Sequence, residues 1–269
     1  MDVRWEEAGW ERLGSRVGRR RLPGWDCTVG LVVGDAAVLL VDAGSSLREG
    51  AELRTQTQWM LAGPGTDEGV ATTPRGPGRV THLALTHAHF DHVLGAAAFA
   101  GVEVYGAVGL DRLLDADRDV LREDAVRHGL APTDASEAVD LMVLPQHLVS
   151  GEWTLELGGV QVLLANVGPG HTGHDLAVLV PGHASTDREV VFCGDLVEES
   201  GEPQAGPDAV PQQWPAALER LVALGGEEAL YVPGHGAVVD AAFVRTQREN
   251  LAERFAPGLP ATTGTPPLP

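Results

Sequence analysis

Cysteine is nearly missing from this chain: there are two in 269 residues, Cys27 and Cys193, far apart in sequence. Two thiols make no disulfide framework, so a reducing, cytoplasmic setting is expected. Each lies in an apolar, strand-like run and reads as a buried, inert thiol. Aromatic residues are only 5%, so the core must be built from Val, Leu and Ala. No apolar run reaches the length of about 18 residues that a membrane span needs. The first residues, Met1 to Glu7, carry no apolar targeting region, and no membrane attachment is expected. Positive charge is also short: 19 basic against 38 acidic residues give a formal charge of −19. A field of that sign repels phosphate backbones and anionic lipid surfaces, which argues against nucleic acid and leaves a small molecule as the expected partner. The basic cluster Arg16, Arg19, Arg20 and Arg21 reads as a solvated strand edge, with an anchor for an acidic group as the alternative. Oligomeric state is left open.

Glycine (34) and proline (18) are abundant and punctuate many short elements. Residues 28–33 and 36–41, broken by Gly34-Asp35, predict a hairpin. Ser45 or Ser46 predicts the cap of a helix running to about Met60. Residues 63–79 read as a loop and 80–85 as a buried strand. A short helix is expected over 93–100 and a strand over 102–105. Charges at helical spacing over 108–140 predict one or two amphipathic helices inserted beside the site. A second hairpin is expected at 152–165, strands at 176–180, 190–193 and 230–232, and helices at 211–224 and 241–255. There is no internal repeat and no linker. The reading is one domain over 1–255 with a disordered tail at 256–269, built as two sheets packed face to face with helices outside.

The most loaded stretch is Thr86-His87-Ala88-His89-Phe90-Asp91-His92. Three imidazoles and a carboxylate fall directly after an apolar strand. His87 and His89, two apart, point the same way and can chelate one ion, while Asp91 and His92 aim at a neighbouring position. Three later residues share this context of a glycine-containing turn after a strand: His171 after Gly168-Pro169-Gly170, Asp195 after Gly194, and His235 after Pro233-Gly234. Imidazole and carboxylate without thiolate favour zinc, iron or manganese.

The run His-Ala-His-Phe-Asp-His resembles the His-x-His-x-Asp-His signature of the metallo-β-lactamase superfamily. Gly170-His171-Thr172, Gly194-Asp195 and Gly234-His235-Gly236 resemble its later motifs, in the same order. Asp42, at a strand end before Gly44, looks like the early aspartate placed beneath the metals in that family. The resemblance implies an α+β fold, an αββα four-layer sandwich of two mixed sheets flanked by helices. It also implies two divalent ions, zinc first, with iron or manganese as alternatives. His87, His89 and His171 would hold one ion, Asp91, His92 and His235 the other, and Asp195 would bridge them. A bridging aspartate is similar to the glyoxalase II and lactonase branches. The stretch after His235 has room for one helix, unlike the glutathione-binding helical domain of glyoxalase II.

The reaction this implies is hydrolysis of an ester, thioester, lactone or amide by a hydroxide shared between the two ions, with Asp91 or Asp195 taking the proton. Three other chemistries fit the same motif: an iron oxidoreductase of the persulfide dioxygenase or flavodiiron type, a small-molecule phosphodiesterase, and a non-enzymatic metal-binding module. Among the remaining histidines, His82 reads as a core or ligand-supporting group, and His128, His147 and His183 as surface residues. His174 is expected to make a structural hydrogen bond beside the ligands, with Asp42 supporting them from below.

Overall fold

A computed structural model describes residues 3–62 and 77–256. Most of the loop read at 63–79, and the tail after 256, lie outside the described residues. Two sheets carry the chain. The first contains β1 (Glu11–Arg12), β2 (Val17–Arg21), β3 (Thr28–Val33), β4 (Val38–Val41), β5 (His82–Ala84), β6 (Glu103–Ala107) and β7 (His147–Val149), in that spatial order. Pairing is antiparallel from β1 to β4 and parallel from β4 to β7. The second contains β8 (Glu152–Glu156), β9 (Gln161–Asn166), β10 (Leu176–Val180), β11 (Val190–Glu198) and β12 (Leu230–His235), antiparallel except for the parallel pair β11 and β12.

The apolar runs sort into layers by alternation, because successive strand side chains face opposite sides. In β4, Leu39 and Val41 enter the core between the sheets, while Val38 and Leu40 enter an outer core. In β11, Val190 and Phe192 face inward, while Val191 and Cys193 face the other outer core. The first outer core is covered by α1 (Leu47–Leu61), α2 (Phe90–Val93), α3 (Leu110–Ala116), α4 (Arg118–Arg127) and α5 (Pro132–Asp140). The second is covered by α6 (Trp214–Gly225) and α7 (Ala241–Arg254). Three apolar cores therefore separate four layers in the order αββα.

Several local expectations change. The helix expected over 93–100 is replaced by α2, which begins inside the histidine motif, and a 3₁₀ turn at Ala96–Ala98. Gly95 marks the break: its amide donates to the Gly44 carbonyl at 2.9 Å instead of continuing the helix, an approach open only to glycine because a Cβ there would lie 2.0 Å from the Ala43 carbonyl oxygen. The segment 108–140 forms three helices, parted at Asp117 and at Gly129, whose φ is +101°. Its Leu110, Leu114, Leu121, Ala125 and Val139 enter the first outer core, so it is built into the fold. The strand read at 190–193 continues to Glu198 through a register shift at Gly194. β7 was not anticipated as a separate strand. His82 is neither core nor support for the site. It lies half-buried at the start of β5, bonded to Thr81 Oγ1 at 2.8 Å and stacked on Tyr105. Arg19 departs from a solvated edge: it is buried, pairs with Glu11 at 2.7 Å and donates to the Gly236 carbonyl at 2.9 Å.

The turn of the first hairpin docks on the turn of the second. The amides of Asp35, Ala36 and Ala37 donate to Gly158 and Leu157 carbonyls, each at 2.9 Å. A Cβ on Gly34 would fall 1.9 Å from the Leu157 carbonyl oxygen. Gly34→Ala is therefore expected to cost about 1–3 kcal/mol through overpacking, seen as a lower Tm in thermal unfolding. Because this junction lies at the opposite strand ends from the histidine motif, metal content should be unchanged in the same variant.

Candidate metal centre

The donor residues gather where the parallel strands end. β4 leads into Asp42, β5 into Thr86 to His92, β11 carries Asp195, and β12 ends at His235. The turn after β9 brings His171 to the same place. His87, His89, His171 and Asp195 form one group whose ligand atoms lie within 4.8 Å of one another, and His92, Asp195 and His235 form a second. Asp195 belongs to both. Its Oδ2 lies 3.6 Å from His87 Nε2, 3.4 Å from His171 Nε2 and 3.4 Å from His235 Nε2. Its Oδ1 lies 3.1 Å from His92 Nε2. Asp91 Oδ2 stands 3.3 Å from His235 Nε2 and 3.7 Å from His92 Nε2. All seven residues proposed as ligands from the sequence thus meet in one cluster.

Asp42 fixes how two of these rings face. Its φ of +61° is a left-handed conformation that aspartate tolerates better than most residues. The turn brings its carboxylate back to accept the Thr86 amide at 2.8 Å, the Thr86 hydroxyl at 2.8 Å and His92 Nδ1–H at 2.8 Å. The hydroxyl has one proton, given to Asp42, so it accepts His87 Nδ1–H at 2.9 Å. Both His87 and His92 therefore present an Nε2 lone pair inward. His235 does the same, since its Nδ1–H donates to the Trp25 carbonyl at 2.8 Å. His89 is reversed: Nε2 meets Asp208 Oδ2 at 3.1 Å, and Nδ1 faces His171 Nε2 at 3.0 Å. Such outer partners orient metal-binding imidazoles. His174, by contrast, turns away from the cluster. Its Nδ1 bonds the Val108 carbonyl at 2.9 Å, and its ring lies over Gly109 at the head of α3.

The electrostatics demand positive charge here. Asp42, Asp91 and Asp195 are all buried, and among the described residues no arginine is bonded to any of them. Buried carboxylates are costly without a countercharge. Burial pushes Asp195 up, yet the imidazoles of His92, His87 and His235 outweigh it and hold the carboxyl well below its usual range. Burial lowers His171 to about 4. Burial also opposes charge on His235, but hydrogen bonds from Nε2–H to Asp195 and Asp91 raise it to about 11, so a cation bound there would take the place of that proton. Meanwhile His87 Nε2 and Asp195 Oδ1 are buried with no hydrogen-bond partner. Imidazole nitrogens converging on buried carboxylates, with two ligand-type atoms left unpaired, fit divalent cations.

Sequence reasoning missed four participants. Asp208, in a Gly-Pro-Asp turn before α6, is 119 residues from His89, and nothing local marks it. Asp175 is buried, accepts Thr172 N–H and Oγ1–H, and is pushed up to about 7 by burial. A Thr-x-x-Asp spacing was its only signal. Trp25 contributes a backbone oxygen, which no side-chain pattern reveals. Cys27 is buried and protonated as expected, but its Sγ also packs 3.7 Å from His92 Nδ1 and groups with Asp91 and His92.

Glycine next to these donors is a spatial requirement. A Cβ on Gly234 would lie 1.8 Å from Asp195 Oδ1. Gly234→Ala is expected to displace that carboxylate and lower metal affinity by about tenfold or more, like the loss of a residue orienting a ligand. Competition with a chromophoric chelator measures it.

The sequence profile of the metallo-β-lactamase superfamily matches residues 22–235. A relative, metallo-β-lactamase domain-containing protein 1 of Xenopus laevis, is 30% identical over 177 residues, which are 66% of this chain and 57% of that protein. This chain thus spans little more than half of the relative's length. In three dimensions it is similar to a metallo-β-lactamase from Pontibacter korlensis, with TM-score 0.63 and 19% identity, over 90% of this chain and 98% of that one. It is also similar to one from Hirschia baltica, with TM-score 0.59 and 16% identity, over 90% and 96%. At those identities the structural likeness is one of fold. With the profile spanning every motif from Asp42 to His235, the chain belongs to the metallo-β-lactamase superfamily.

Proposed function

We propose that the protein is a binuclear metal-dependent hydrolase that cleaves an ester, thioester, lactone or amide bond of a small molecule. The observation that carries this reading is the position of Asp195, which lies within 3.6 Å of His87 and His171 and also of His92 and His235, and so belongs to both donor groups. His87, His89 and His171 would hold one ion and Asp91, His92 and His235 the other, with Asp195 between them. Two divalent ions, zinc foremost, would lower the pKa of a bound water and polarise the acyl oxygen.

The chain's own residues do the rest. Asp91 and Asp195 are held below the ordinary carboxylate range against the effect of burial, chiefly by His92. They therefore stay ionised at neutral pH and can accept hydrogen bonds from the attacking water, orient it and take its proton. Asp42 and Thr86 keep the rings of His87 and His92 from turning, so the donors are in place before substrate arrives.

The test is metal analysis of the purified protein by plasma mass spectrometry, followed by a panel of thioesters, lactones, β-lactams and phosphodiesters. Two zinc ions per chain with turnover on an acyl substrate is the expected result. One iron with oxygen uptake, or turnover only on phosphodiesters, would replace this reading.

A further inference from the structure

A cleft of about 260 Å³ opens between α1 and the segments that lead into β5 and β6. Its rim carries Arg54, Gln58 and Arg79, and its floor Val80, Phe99 and Val102. Val80 and Phe99 are buried, so the floor is fixed. Arg54 and Gln58 are one turn apart on the same face of α1. Arg54 Nη1 donates to the Ala98 carbonyl at 3.0 Å, which holds the guanidinium at the rim, and its other N–H groups have no partner among the described residues. Arg79 has no hydrogen bond or ion pair among the described residues.

Among the described residues, no acidic residue lines this cleft. That is unusual in a chain where acids outnumber bases 38 to 19. Elsewhere arginines commonly sit on a carboxylate, as do Arg16, Arg19, Arg21 and Arg245. Two guanidinium groups that share a cleft, with no countercharge there among the described residues, repel each other, and an anion between them relieves that. Their planar donor forks match carboxylate and phosphate oxygens. The apolar floor offers surface to a hydrocarbon. The cleft also lies at the N-terminal ends of β5 and β6, whereas the metal donors lie at C-terminal strand ends.

We propose that this cleft binds a small organic anion, a carboxylate or phosphate monoester. Its charged end lies between Arg54 and Arg79, and its apolar part covers Val80, Phe99 and Val102. The ligand is not the substrate, because it sits at the opposite strand ends from the metal centre. Attraction is local, since the overall field of the chain opposes anions, and it is screened by salt.

Titration calorimetry on the full chain with hexanoate, phenyl phosphate and the neutral isostere hexanamide tests this. Hexanoate or phenyl phosphate should bind, the tighter of the two identifying the head group, and hexanamide should bind about tenfold more weakly or not at all. Arg54→Ala and Arg79→Ala should each weaken the anion by about tenfold, and the double variant should abolish binding. High salt should weaken it in the parent protein. Arg48→Ala, on the same helix but outside the cleft, should leave affinity unchanged, with melting curves confirming that all variants fold. The proposal is overturned if neither anion binds, if hexanamide binds equally well, or if the double variant keeps its affinity, which would place the anion at the metal centre.

Discussion

Asp195→Ala is expected to empty both halves of the metal centre together and to remove hydrolysis with them. The carboxylate is shared by two donor groups, lying within 3.6 Å of His87 and His171 of one and of His92 and His235 of the other. Its removal leaves four imidazoles converging without their shared carboxylate. A divalent ion placed there would then face more uncompensated positive charge. Breaking a buried charge network by deleting one partner typically costs about 3–5 kcal/mol, which corresponds to roughly 10²–10⁴-fold in affinity. Asp195→Asn keeps the shape and loses the charge, so it should fall between wild type and alanine. Metal stoichiometry after dialysis, set beside turnover, measures both effects. A variant that retains two ions and full activity would remove the central role from Asp195.

Asp42→Asn is expected to weaken metal binding about 10- to 100-fold although Asp42 is proposed to touch no ion. Asparagine tolerates the left-handed backbone at this position, so the substitution tests the side chain alone. Three donors point at the carboxylate: the Thr86 amide, the Thr86 hydroxyl and His92 Nδ1–H. An amide offers one acceptor oxygen and sets an N–H group against whichever donor is left. His92 loses its anchor, and if the Thr86 hydroxyl turns, His87 loses its partner too. A stability loss of about 1–3 kcal/mol from the unsatisfied buried donor should accompany it. Asp42→Ala adds backbone strain and should melt lower than Asp42→Asn. Chelator competition and thermal unfolding separate the two effects. Wild-type affinity in Asp42→Asn would mean that the His92 ring is held by packing, against Cys27 for example.

The features legible in the sequence are those whose signal is local. The hairpin around Gly34-Asp35, the Ser46 cap and the ligand motifs all read from neighbours along the chain, and the apolar runs of β3, β4, β10 and β11 mark strands buried on both faces. Ser46 does accept the Glu49 amide, at 3.3 Å. What escaped depends on distant partners. The break at Gly95 is set by the Gly44 carbonyl, the extension of β11 by its parallel partner β12, and the orientation of His89 by Asp208. His235 is aimed by a tryptophan's backbone, where side-chain identity carries no information. His82 misled because an apolar run suggests burial, while its place at the first residue of β5 leaves it partly exposed.

The helices α3 to α5 are fastened on both flanks. His174 ties the turn before α3 to the loop bearing His171, and Trp25 Nε1 donates to the His128 carbonyl at the end of α4 at 3.0 Å. The same helices sink leucines and alanines into the outer core. A swinging lid would have to break both ties, tear open that packing and pull on a donor residue. These helices are therefore a fixed wall. On the proposed hydrolase reading, selection among substrates is expected to come from the standing shape of this wall rather than from its closure over a captured molecule.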